Sequence, residues 1–318
     1  MKKALTFLFF LLMPLAGVLG QTQTPPIDAQ RIAPDPSKNF SYPYYFYVPA
    51  ELRAAEAKPQ KHTVLVLPNN TGKLSDDFAV HEANVKRRIA QAPAIASMLK
   101  VVVLIPVFPR PETDWRIYTH ALDRDSMVTE KKGYRRLDLQ LIAMIDDARS
   151  RLSTENLRIE KRVLISGFSA QGMFANRFTF LHPDRVKAAA IGSPGGWPII
   201  PVERFDDKDL RYPIGIADFR LISGKKLDLK ALRRVPLFIF MGDRDDNDSV
   251  VFGDSYDDQD RDLIIPLFGK MPVDRWEIAR SLYAKAGLNA EFKLYPGVAH
   301  TVTLPMRDDI RAFLLKHK

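Results

Sequence analysis

Residues 163–180, VLISGFSAQGMFANRFTF, carry an apolar run straight into Gly-Phe-Ser and continue in helix-compatible sequence. The pattern predicts a strand, a sharp turn with Ser169 at its apex, and a helix. Such a turn lifts a hydroxyl clear of its neighbours, and the helix behind it aims its first N–H groups at any oxyanion formed there. Ser169 is therefore a candidate nucleophile, although a serine before a helix also serves as an ordinary N-cap. A serine hydroxyl attacks poorly at neutral pH unless a base within reach takes its proton and a third group orients that base. Downstream, residues 235–245 (VPLFIFMGDRD) read as a buried strand ending in Gly-x-x-Asp, which puts a carboxylate at the strand's carboxyl edge. Ala290–Tyr295 reads as another strand, followed by Pro-Gly-Val-Ala and His300. The other histidines, His62, His81, His120, His182 and His317, lie before a strand, in predicted helices or loops, or at the terminus. The order Ser, Asp, His, each just past a strand, is what an open parallel sheet needs to gather three side chains at one edge.

The elements that must position these groups follow from hydrophobic periodicity. Short, continuously apolar runs at 63–67, 101–106, 163–166, 188–191, 237–241 and Ala290–Tyr295 read as strands covered on both faces. Amphipathic helices are expected at 77–90, 134–150, 171–181, 273–286 and 306–316. Tyr42, Tyr44, Phe46 and Val48 mark an aromatic strand that opens the sheet. The alternation implies an α/β fold, a mostly parallel sheet with helices on both faces, formed by one domain over 38–318. Residues 21–37, rich in Gln, Thr and Pro, read as a flexible leader or extended arm with no strand.

The order and local motifs resemble the α/β-hydrolase superfamily over nearly all of the chain after residue 20, and within it the exported esterases and polyhydroxybutyrate-depolymerase-like proteins. The resemblance implies Ser169 as nucleophile, His300 as general base and acid, and Asp245 as orienting carboxylate, with Asp248 the next choice among the crowding Asp243, Asp246 and Asp248. It also implies an oxyanion hole from the N–H of Ala170 and one from the loop Leu67-Pro-Asn-Asn-Thr-Gly72, where Asn70 is preferred and Thr71 is second. It implies no metal or organic cofactor. Two positions depart from the family pattern. Gln171 stands where glycine is usual two residues after the serine, so the turn must be looser or the Gln side chain must tuck outward. Asn69-Asn70 replaces the usual His-Gly of the oxyanion loop.

Aromatics in the Pro/Gly-rich loops past 106 and past 191 are candidates for substrate contact, Trp197 and Tyr118 first, or else anchors of those loops. Nine aspartates fall between Asp243 and Asp262; that stretch reads as a solvated loop, with a calcium-stabilised loop and a substrate-facing lid as alternatives.

Met-Lys-Lys followed by apolar residues and small residues near Gly20 reads as a secretory signal peptide over 1–20, too short for a convincing membrane anchor. Cleavage at that point lowers the net charge from +9 by the two lysines and leaves a secreted or periplasmic protein with no stable membrane anchor. The absence of cysteine excludes disulfide stapling and a lipid-anchored cysteine. Lys86-Arg87-Arg88 and Arg233-Arg234 read as solvated helix faces rather than nucleic-acid contacts, so the expected partner is a small or polymeric ester. The expected activity is ester cleavage; peptide cleavage by the same groups, or a binding protein that retains the fold, are the alternatives.

Overall fold

The computed structural model describes residues 29–53 and 60–318. The expected signal peptide and the leader up to residue 28 lie outside the described residues. Eight strands share one sheet: β1 (Ala29–Ile32), β2 (Tyr44–Tyr47), β3 (Val64–Val66), β4 (Val102–Pro106), β5 (Val163–Phe168), β6 (Val186–Gly192), β7 (Leu237–Gly242) and β8 (Ala290–Tyr295). Their spatial order is β1-β2-β4-β3-β5-β6-β7-β8. The β1–β2 and β2–β4 pairs are antiparallel, and from β4 to β8 every pair is parallel.

The central parallel strands are largely apolar because each face meets its own core, whereas the edge strand β8 carries Glu291 and Lys293. Val64 and Val66 face one side and Leu65 the other, as do Leu237, Ile239 and Met241 against Phe238 and Phe240. Successive side chains of a strand point to opposite faces, so a two-sided sheet needs apolar residues at every position. Helices α1 (Phe78–Ile89), α2 (Ala92–Leu99) and α7 (Leu304–His317) cover one face through Val85, Ala96 and Met306. Helices α3 (Leu137–Thr154), α4 (Ala170–Leu181), α5 (Asp258–Phe268) and α6 (Pro272–Lys285) cover the other through Leu141, Phe178, Ile264 and Trp276. Among the described residues no helix is long and apolar enough to cross a membrane.

Three elements depart from the sequence reading. Residues 29–37, expected as part of a structureless leader, hold β1, paired in register from Ala29 with Tyr47 to Ile32 with Tyr44, and a 3-10 turn at Pro36–Lys38 capped by Asp35. The reason is tertiary: β2 would otherwise present a row of unpaired backbone groups, and the arm covers it while Arg31 pairs with Glu82 at 2.5 Å. Helix α2 begins with proline in its first turn, and α5 arises inside the acidic stretch from a capping box between Asp257 and Asp260. In both, composition conceals the periodicity.

Helix α4 is seated very close to the sheet. A Cβ on Gly172 would run into the Gly192 carbonyl oxygen at the end of β6. Replacing a helical glycine by alanine ordinarily adds up to about 1 kcal/mol of stability, but overpacking reverses that sign here. Gly172→Ala is expected to lower stability by about 1–3 kcal/mol, read as a lower urea midpoint.

Candidate active site

Ser169 joins β5 to α4 with φ +62 and ψ −132. A non-glycine residue held there stores about 1–3 kcal/mol of strain, which two hydrogen bonds help to maintain: its N–H donates to Gly192 O at 3.0 Å and its carbonyl accepts from Met173 N–H at 3.0 Å. Its hydroxyl makes no hydrogen bond to another described residue. Ala170 is the first residue of α4, so its N–H has no acceptor within the helix and is free for a ligand.

Asp245 and His300 come from the loops that leave β7 and β8. The two loops are zipped together: Asp243 N–H donates to Tyr295 O at 3.1 Å, Arg244 N–H to Val298 O at 2.9 Å, and Gly297 N–H to Asp243 Oδ1 at 2.7 Å. Gly242 allows this approach, since a Cβ there would strike the Val298 carbonyl. His300 Nδ1 lies 3.0 and 2.9 Å from the two carboxylate oxygens of Asp245. An ionised carboxylate only accepts, so Nδ1 carries the proton and Nε2 presents a lone pair. Burial pushes the Asp245 carboxyl up, but His300, the neighbouring Ser193 hydroxyl and the Asn247 N–H together hold it below its ordinary value of 3.8. The Ser193 hydroxyl is itself buried without a well-aligned partner.

The imidazole of His300 packs 4.8 Å, centroid to centroid, from the ring of Phe168, the residue just before Ser169. Ser169 and His300 make no hydrogen bond to each other in this structure. Catalytic hydrogen bonds are commonly loose in ligand-free sites and tighten around substrate.

Asp248, the second choice for the acid, is committed elsewhere. It grips Arg275 through both oxygens at 2.9 and 2.8 Å, both residues being buried, and caps the single-turn helix Ser249–Phe252 through Val250 N–H. Gln171 does not tuck outward, nor is the turn loose. Its side chain is buried and donates to Pro68 O in the facing loop, while the close approach usually supplied by glycine at that place is made one residue later by Gly172.

In that loop Asn69 is buried and bridges to the end of β4, donating to Pro106 O at 2.9 Å and accepting from Phe108 N–H at 3.0 Å. Asn70 is exposed, with its carbonyl 2.7 Å from His120 Nδ1. Thr71 is held by Tyr118, whose hydroxyl lies 2.9 Å from Thr71 Oγ1.

A strained serine between a parallel strand and a helix, with an Asp–His pair at the ends of β7 and β8, sits on a sheet of the order given above. This is the α/β-hydrolase fold. Over 92% of this chain and 99% of the other, it superposes on poly(aspartic acid) hydrolase-1 from Sphingomonas sp. KT-1 with a TM-score of 0.58 and 17% identity. It superposes likewise on the poly(3-hydroxybutyrate) depolymerase LpqC from Bordetella parapertussis, with a TM-score of 0.54 and 17% identity over 91% of this chain and 89% of that one. No protein-family model and no curated protein matches the sequence.

Within this hydrolase fold, two residues expected to touch substrate prove to be anchors. Trp197 is 1% exposed, donates from Nε1 to Ile214 O at 3.0 Å and stacks on Phe268 at 4.2 Å. Tyr118 is 2% exposed under the Arg110 guanidinium, 4.1 Å from its ring centroid. The aromatics that stand open are Trp115 and Phe252, 40% and 61% exposed, on the walls of a cleft of about 550 Å³ that also holds Asp125, Arg211 and Asp254. Sequence gave no sign of Phe252, because it lies in the acidic stretch.

That stretch is not a solvated loop throughout, although Asp243, Asp246, Asp258 and Asp262 stand exposed. Asp254 pairs with Arg110, Asp257 and Asp260 with Arg211, and Asp248 with Arg275. Among the described residues no group of three or more His, Cys, Asp or Glu could hold a metal ion. Arg110 ties the stretch to the site, because its Nη1 also reaches the carbonyls of Thr71 and Gly72 at 3.3 and 3.2 Å. Sequence reasoning missed Arg110 in this role, since nothing local marks an arginine for two distant partners.

Two outcomes follow from these pairings. Removing one partner of a buried ion pair strands the other, so Asp248→Ala is expected to cost about 3–5 kcal/mol, measured by chemical denaturation. Asp123, also in the cleft, has its carboxyl pushed up by burial from 3.8 to about 7. The folded chain thus binds a proton that the unfolded chain releases between those values, and stability from this group is full at low pH and lost as pH rises through about 7. Asp123→Asn, which keeps a capping side chain, is expected to raise the melting temperature at pH 8 more than at pH 5.

Proposed function

We propose that the chain is an exported serine hydrolase that cleaves carboxylic esters by acyl transfer. The observation that carries this reading is the Asp245–His300 pair standing beside the strained Ser169 turn. His300 Nε2 takes the Ser169 proton as Oγ attacks the ester carbonyl, and Asp245 steadies the imidazolium that results. The N–H of Ala170 and one from the 67–72 loop stabilise the tetrahedral oxyanion, each such donor being worth about 2.7–4 kcal/mol of barrier. His300 then protonates the leaving alcohol, and water, activated by the same base, releases the acid and restores Ser169. Export rests on the apolar leader of residues 1–20. The two structural neighbours are named for polymeric substrates, so polyester film belongs in the substrate panel beside small esters.

Ser169→Ala is expected to abolish p-nitrophenyl acetate turnover and fluorophosphonate labelling while leaving the melting temperature nearly unchanged; a wild-type protein that takes up no label would overturn the reading. Asp245→Asn leaves the geometry but permits the wrong imidazole tautomer, and is expected to reduce kcat on the order of 10⁴-fold in the same assay.

A further inference from the structure

The loop that faces Ser169 is gripped by its carbonyls. Pro68 O accepts from Arg88 Nη1 at 2.6 Å and from Gln171, Asn70 O lies 2.7 Å from His120 Nδ1, and Thr71 O and Gly72 O both accept from Arg110. The His120 ring is 4% exposed and lies between the loop and the segment past β4, its other nitrogen 2.8 Å from Phe108 O. The same short segment supplies Tyr118 to the Thr71 hydroxyl. A trans peptide is planar, with its C=O and N–H pointing in opposite directions. Holding Asn70 O from one side therefore fixes Thr71 N–H toward the other. Neither the Asn69 carbonyl nor the Asn70 N–H has a hydrogen-bond partner among the described residues, so nothing fixes the preceding peptide in the same way.

We propose that His120 is the positioning residue of the oxyanion hole: through Nδ1–H it clamps the Asn70–Thr71 peptide, and Thr71 N–H, not Asn70 N–H, joins Ala170 N–H in binding the oxyanion. The inference rests on the serine-hydrolase reading and selects the second of the two loop donors considered from sequence. A donor that needs no reorganisation when charge develops is what makes such a site effective.

The ring has two acceptors and, when neutral, one proton. Burial drives the imidazole down to about 4 against the pull of the two carbonyls, and His81 on α1, whose ring is 6.2 Å away, and Arg110 on the neighbouring loop also disfavour the cation. Tyr118 is the remaining titratable ring packed on it, at 6.5 Å. No carboxylate lies within hydrogen-bond distance of the ring among the described residues. At neutral pH the single N–H serves one carbonyl, and the clamp puts it on the Asn70 side.

The test uses the amide geometry of two replacements. Asn places its amide nitrogen where His has Nδ1, and Gln where His has Nε2. With p-nitrophenyl acetate, His120→Phe is expected to lower kcat by roughly 10²-fold or more, the loss expected for a misplaced oxyanion donor, with KM little changed. His120→Asn is expected to recover about tenfold of that loss, and His120→Gln none. A kcat for His120→Phe within about twofold of wild type, or recovery by Gln and not by Asn, would overturn the clamp. Should His120→Phe fail to fold, an α-hydroxy acid introduced at position 71 deletes that N–H alone. It is expected to lower kcat where the same change at position 70 does not, and the reverse ranking assigns the donor to Asn70. Fluorophosphonate labelling of the wild type separates the two ideas. An unlabelled wild type removes the reaction itself and the clamp with it, whereas a labelled wild type with an undiminished His120→Phe removes only the clamp.

Discussion

The contact between Asp245 and His300 depends on two neighbouring strands ending at one level. Gly242 at the end of β7 pairs with Tyr295 at the end of β8, so the residues that follow each leave the sheet side by side. Three backbone and side-chain hydrogen bonds then hold the two loops together before either side chain reaches the site. A shift of one residue in that register would turn the side chains to the opposite faces and separate carboxylate from imidazole. The pairing of β7 with β8 is thus the condition on which the rest of the carboxyl edge is arranged.

The opposite wall is built by another means. Between β3 and α1 the chain has no ladder to hold it, and side chains from distant segments do that work: Gln171 from α4, His120 and Tyr118 from one turn, and Arg110 from another. Arg110 also binds Asp254, so the acidic stretch and the loop facing Ser169 share one cation. Paired in this way, Asp248, Asp254, Asp257 and Asp260 neutralise buried or half-buried arginines, which is how a charge leaves water at tolerable cost.

Much of this molecule is legible in the chain. The six runs became the six parallel strands, within a residue or two at their ends; for the inner ones two-sided burial demands near-uniform apolarity, while the edge strand β8 keeps Glu291 and Lys293. The serine turn is legible for a similar reason, since strand, turn and helix are contiguous. The arm over β2 was not, because its only reason to be a strand is a partner twelve or more residues away.

Sequence alone determined the layered α/β architecture, the serine at its turn, and the order of acid and histidine behind it, since each depends on periodicity or on adjacent residues. Tertiary structure alone decided which aspartate meets His300, for Asp243, Asp245, Asp246 and Asp248 share one local environment in the chain and differ only in what lies across from them. It also decided that Trp197 and Tyr118 are buried while Phe252 is open, and that His120 reaches the Asn70 carbonyl. Contacts between residues far apart in the chain are set by packing, which no local pattern records.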